Sequence, residues 1–242
     1  MSRGIMTMDG DQPIRLRLLG HVEVEHDGEV LAMGVRQQRL LAALAVLGPK
    51  PRRFLGELLW SERPTPRAMG SLRTTVFNIS RQLPGAIRSR GNTLALGEAV
   101  VVDVHELRVA LQEAAAAAEA PTEDPWFLDP EGAQLLPGWY EGWVVAEQDR
   151  LRTLYVNAVE HLARLCLQHG DYYRAQVLAE NVRALSPLRE SAVRVSIEAH
   201  LGLGNHAPAL QTFHEFCTTM ADELGAPPSP QITQLMGEIR SA

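Results

Sequence analysis

The chain has little of what membrane insertion, redox chemistry and most enzyme catalysis require. Its longest nearly unbroken apolar stretch, Leu40 to Leu47, is far too short to span a bilayer. The N-terminal segment, Met1 to Pro13, carries acids and glycines and has no apolar core of an export signal. We therefore expect no membrane partner, a cytoplasmic location and poor order over the first dozen residues. Only two cysteines are present, Cys166 and Cys217, and in a chain without an export signal they read as buried reduced thiols, not a disulfide. A Gly-rich phosphate loop, a G-x-S-x-G elbow and an H-E-x-x-H helix are all missing, which removes the usual routes to an enzyme. His161, Cys166 and His169, with His214 and Cys217, could supply four ligands, but their spacing matches no zinc motif. No metal or other cofactor is expected. Asp103, His105 and Glu106 fall at a strand-to-helix junction, where Asp103 reads as a helix cap, and His200 reads as a packed core histidine.

What the chain does have is charge, unevenly placed. Arg36 to Arg90 holds eleven basic side chains against two acids, Glu57 and Glu62. Up to His105 there are fourteen basic against ten acidic residues, and from Glu106 onward nine against nineteen, so a mildly acidic pI of 5.8 covers two modules of opposite sign. A solvated charged face is the plain alternative. A local surplus on a helical region nevertheless offers many phosphate contacts, whose neutralisation releases counterions.

Ile14, Leu16 and Leu18 alternate with arginines, and Val22 and Val24 alternate with glutamates, which is the period of half-buried strands. Asp27-Gly28 turns the chain toward Val30 and Leu31. Leu40, Leu41, Leu44 and Leu47 then repeat as a helix ended by Gly48-Pro49. A second helix brings Phe54, Leu55, Leu58 and Leu59 to the core, with Trp60 at its end. Thr65 can cap a third, with Pro66 at its first position, and Leu83-Pro84-Gly85 closes it. Ile87 to Leu96 reads as a hairpin turned at Gly91-Asn92, with Arg88 and Arg90 before the tip, and Val100 to Val104 as a further strand. Strands, three helices and a basic hairpin in this order make a winged helix-turn-helix.

On the third helix Leu72, Val76, Ile79 and Leu83 are spaced four, three and four, so they face the core. Arg67, Gly70, Thr74, Phe77, Asn78 and Arg81 then lie opposite, with Ser71, Arg73 and Ser80 on the flanks. Gly70 leaves room for close backbone approach, Asn78 suits adenine, Thr74 and Phe77 suit thymine methyls, and the arginines suit guanine or phosphate. Phe77 discriminates, because it meets either a partner or a neighbouring element of its own domain.

Ala110 to Ala120 has strong helix propensity and reads as a joining helix, followed by an irregular, acidic stretch from Pro121 to Pro137 whose Trp126, Phe127, Leu135 and Leu136 suggest local packing. From Gly138 the pattern is helical and repeats. Gly170-Asp171 and Gly204-Asn205 are 34 residues apart, and the same offset relates Ala158 to Ala192, Val159 to Val193, Leu167 to Leu201 and Ala175 to Ala209. That is the tetratricopeptide period. The expected organisation is an α+β winged helix-turn-helix over 14–105, a connection over 106–137 and an all-α, tetratricopeptide-like repeat domain over 138–242.

The chain resembles the SARP (Streptomyces antibiotic regulatory protein) family of transcriptional activators from Leu16 to almost its end. The first module carries this in Arg36-Gln37-Gln38-Arg39-Leu40-Leu41, Leu58-Leu59-Trp60, Ser71-Leu72-Arg73-Thr74 and Val102-Asp103-Val104. The second carries it in Leu136-Pro137-Gly138-Trp139-Tyr140, Arg150-Leu151-Arg152, Pro187-Leu188-Arg189-Glu190-Ser191-Ala192 and Glu223-Leu224-Gly225, which look like the bacterial transcriptional activator domain. The resemblance implies an OmpR-type winged helix that binds promoter direct repeats in double-stranded DNA, near the nucleoid, and recruits RNA polymerase to an antibiotic or other secondary-metabolite gene cluster. Direct repeats would seat two protomers side by side on DNA. By the same analogy the loop Ser61, Glu62, Arg63, Pro64 and Thr65 would meet sigma factor or polymerase. Relatives commonly place basic residues where this chain has Phe77, Asn78 and Ser80, so its operator preference would differ and Arg81 would carry more of the contact.

The competing reading is a protein-interaction adaptor, with a degenerate winged helix and a helical-repeat surface presenting Trp139, Tyr140 and Trp143 to a partner. Sequence-selective duplex binding by the Arg36 to Arg90 region separates the two.

Overall fold

A computed structural model describes residues 13–129 and 132–241. The expectation for the first dozen residues lies outside the described residues. Alternation gives β1 (Ile14–Arg17), with Ile14 and Leu16 buried between exposed arginines. β2 (Glu23–His26) pairs antiparallel with β1, and Asp27 and Gly28, both at positive φ, turn the chain into β3 (Glu29–Val30). α1 (Val35–Leu47) buries Leu40, Leu41 and Leu44 and stops at Gly48. β4 (Lys50–Pro51), α2 (Arg52–Leu59) and α3 (Thr65–Gln82) follow. α2 and α3 approach closely at buried Gly56, where an added Cβ would come 3.1 Å from the Met69 sulfur.

Two details differ from the sequence reading. Phe54 is 43% exposed, because a helix starting at Arg52 directs Leu55 and Leu59 inward and points Phe54 away, where the Lys50 ammonium lies 5.8 Å from its ring. Pro64, not Thr65, occupies the N-cap of α3, which places Pro66 at the second helical position, still within the turn whose N–H groups have no helical partner.

β5 (Ile87–Arg90) and β6 (Thr93–Leu96) form the wing around Gly91-Asn92, with β4 paired to the far side of β6. β7 (Val100–Val102) then returns beside β1 in parallel, giving a sheet of order β3-β2-β1-β7. It is shorter than expected because α4 (Asp103–Ala115) begins at Asp103. The Asp103 carboxylate accepts backbone N–H bonds from Leu18 (2.9 Å), Leu19 (3.0 Å) and Val104 (2.7 Å). It therefore ties the sheet to the start of α4, with Asp103 the first residue inside that helix and not the residue before it. Buried Val104, Leu107 and Leu111 hold α4, so helix ends at Ala115 and most of the alanine run lies beyond it.

The fold is a winged helix followed by a helical, tetratricopeptide-like domain. By its internal packing the chain divides into two compact units, one reaching Glu106 and including Gln134–Tyr140, the other comprising Leu107–Ala133 and Glu141 onward. The stretch read as a connection is thus shared between them. In the first unit Leu135 bridges antiparallel to Leu19, and Leu136 N–H donates to the Leu18 carbonyl at 2.8 Å. In the second, a single 3-10 turn, Trp126–Leu128, buries Phe127 and is held by Tyr155 and Asn181, both donating to the Leu128 carbonyl. Burial pushes the Tyr155 hydroxyl up to about 12, with the charge of Asp129 adding to it, so the phenol stays a donor.

The helices are α5 (Gly142–Gln168), α6 (Tyr172–Leu185), α7 (Glu190–Gly202), α8 (His206–Leu224) and α9 (Pro230–Ser241). The 34-residue offset recurs in the backbone. Gly170 and Gly204 both take positive φ, Asp171 N–H donates to the Cys166 carbonyl at 2.9 Å, and Asn205 N–H donates to the His200 carbonyl at 2.8 Å. Ala158 and Ala192, Val159 and Val193, and Ala175 and Ala209 are all buried, so the equivalent small residues set equivalent helix packing. Glu160, 1% exposed, receives Arg164, Arg189 and the Ser191 hydroxyl and so joins α5 to the start of α7. Cys166 is buried and Cys217 half-buried; both are free, and burial pushes both thiols up, which keeps them protonated. Among the described residues no helix is long and apolar enough to cross a membrane and no group of three His, Cys, Asp or Glu side chains could hold a metal ion.

Candidate nucleic-acid interface

α3 buries Ala68, Leu72, Thr75 and Ile79, with Leu83 buried just past its end. Thr75 takes the inward position assigned to Val76, which is half-buried at the edge. A polar side chain survives there because its hydroxyl donates to the Ser71 carbonyl at 2.9 Å. The rotation is small, and Arg67, Arg73, Thr74, Phe77, Ser80 and Arg81 remain exposed on the other side, with Gly70, Ser71 and Asn78 half-buried. Phe77 is 63% exposed, so among the described residues no element of its own unit buries it. Among the described residues, Arg67, Arg73, Arg81 and Arg90 have no acidic partner. Their charge is available to a ligand.

Two hydroxyl groups on this face are turned back on the helix. Ser71 donates to the Arg67 carbonyl and accepts from the Arg63 guanidinium, both at 3.1 Å, and Thr74 donates to the Gly70 carbonyl at 3.1 Å. Ser71, Thr74 and Asn78 line one wall of an open groove of about 500 Å3, whose other wall is Gly34, Val35, Arg36 and Gln37 at the start of α1. A Cβ added at Gly70 would meet nothing within 4 Å, so packing inside the protein does not require glycine there.

The wing stands on internal contacts that the sequence pattern did not reveal. Arg88 is paired with Glu98, and Arg52 donates to the Ser89 hydroxyl at 3.0 Å, while Arg90 is exposed near the tip. Both contacts depend on hairpin register, which places residues distant in sequence side by side. At the start of α2, Arg53 bonds Glu57 at 2.8 Å, and that hydrogen bond together with the glutamate's charge pushes its pKa up. Ser61, Glu62, Arg63, Pro64 and Thr65 are all exposed between α2 and α3, although Arg63 reaches back to Ser71.

Residues 102–240 match the bacterial transcriptional activator domain. The chain belongs to that family, within the SARP regulators. Regulatory protein AfsR of Streptomyces coelicolor is 28% identical over 95% of this chain, and AfsR of Streptomyces griseus 25% identical, but the chain spans only about a quarter of their length. Transcriptional regulatory protein MoaR1 of Mycobacterium bovis is 24% identical over 98% of this chain and 82% of its own length. Mycobacterium tuberculosis EmbR, solved in complex with a low-affinity phosphopeptide, superposes with a TM-score of 0.72 at 20% identity, covering 95% of this chain and 65% of EmbR. The last of these establishes the shared fold.

Proposed function

We propose that this protein is a sequence-specific, DNA-binding transcription activator that works by binding and not by catalysis. α3 lies in the major groove of promoter DNA, and the wing touches flanking backbone. The carrying observation is the outward face of α3, where Arg67, Arg73 and Arg81 have no acidic partner among the described residues and Phe77 is uncovered. A solvated surface needs neither feature. The regulatory names of the AfsR and MoaR1 relatives support the same reading. Two protomers occupy direct repeats head to tail, since tandem half-sites require a heterologous arrangement. The loop Ser61–Thr65 then meets sigma factor or RNA polymerase, to switch on a secondary-metabolite gene cluster.

Purified polymerase, the chain and a template carrying the bound element test both halves. Arg81→Ala is expected to weaken binding about tenfold, the loss typical of one good base contact. Substituting Ser61, Glu62 and Thr65 together should leave binding intact and abolish activation. Activation that survives the loop substitutions removes that surface from the proposal.

A further inference from the structure

Arg73, Phe77 and Arg81 follow one another at intervals of four residues on the exposed side of α3, each about 6 Å farther along the axis. They form one slanting row with an apolar ring between two guanidinium groups. Around the ring, two of the hydroxyl groups that would ordinarily read bases are turned back on the helix, while Ser80 is exposed. The Ser71 and Thr74 hydroxyls donate to backbone carbonyls, and Asn78 is half-buried against the groove beside α1. Phe77 thus stands as the apolar group at the centre of the row, and it is 63% exposed.

The edge of duplex DNA in the major groove offers one apolar group, the 5-methyl of thymine. We propose that Phe77 packs on a thymine 5-methyl and thereby fixes a thymine in the operator, with Arg73 and Arg81 contacting guanine or phosphate on either side. This rests on the DNA-binding reading and gives it a specific chemical determinant. Charge complementarity favours DNA over a protein occupant, because the arginines flanking the ring have no acidic partner among the described residues.

The test starts from duplexes that the full-length chain enriches from a random-sequence pool. Each thymine in the enriched element is replaced in turn by uracil, which removes the methyl group and keeps the pairing. Wild-type protein should lose about three- to tenfold in affinity at one or two positions, the scale expected for one buried methyl. Phe77→Ala should bind thymine and uracil duplexes equally, and Phe77→Leu should recover part of the discrimination. Because Phe77 is exposed and alanine favours helix, the variant should keep its fold, which circular dichroism checks. Specific binding that is indifferent to uracil everywhere, or a Phe77→Ala variant that retains the full uracil penalty, would overturn the methyl contact while leaving DNA recognition standing. Enrichment of no element at all would overturn both.

Discussion

Glu98 offsets part of the wing's positive charge. It is highly exposed yet paired with Arg88, one of the two arginines the hairpin contributes near its tip. Replacing it with glutamine should free Arg88 for phosphate, tightening non-specific duplex binding and steepening its salt dependence by roughly one released counterion, about 0.9 in the log-log slope. Anisotropy titrations at several salt concentrations measure this, and an unchanged slope would mean that Arg88 never faces the backbone. A second residue-scale expectation concerns Glu198 on α7. Burial holds its carboxyl above the ordinary glutamate range, only partly offset by Arg194 at 3.8 Å. A raised pKa means that the folded state binds the proton more tightly than the unfolded chain, so stability is favoured below the unfolded value of about 4.3 and lost as pH rises through the folded value. Glu198→Gln should therefore raise Tm at neutral pH, with the gain shrinking toward about pH 4; thermal melts across that range would reveal an opposite trend. Sequence reasoning was weakest at this scale. Thr75 took the buried place expected for Val76, because a backbone carbonyl can satisfy a buried hydroxyl, and Phe54 came out exposed, because one residue of helix phase redirects a side chain by about 100°.

At the scale of elements, periodicity and stop signals located most of the winged helix. Gly48 and Leu83 end α1 and α3 where their sequence punctuation indicates. Composition misled in the alanine-rich segment, since Val104, Leu107 and Leu111 supply the burial that Ala114 to Ala118 lack. Local pattern also could not show that Gln134–Tyr140 belongs with the first unit, because the bridge from Leu135 to Leu19 is a long-range pairing. Gly70 gives the sharpest test of α3 as a recognition element. Its position is open, so Gly70→Ala should stabilise the helix by about 1 kcal/mol, seen as a higher Tm. Binding to the selected duplex should weaken if DNA backbone approaches that turn. A variant that is more stable and binds equally well would locate the closest approach elsewhere on the helix.

At the scale of the molecule, the sequence separates a basic module from an acidic one, and the repeat separates a two-helix period from an ordinary bundle. That period is visible because it is written twice, in buried alanines and in two positive-φ glycines that end α5 and α7. The outward face of α3 was legible as a direction but not as a chemistry, since only the folded structure reveals which hydroxyls fold back and which arginines have no acidic partner among the described residues. The most direct test of the whole account is enrichment of random-sequence duplex DNA by the full-length chain at low and raised salt. The account predicts a short element that survives the higher salt, because base contacts persist where phosphate attraction is screened. Diffuse retention that vanishes with salt would contradict it, leaving the basic region as electrostatic attraction alone and moving the adaptor reading to the front.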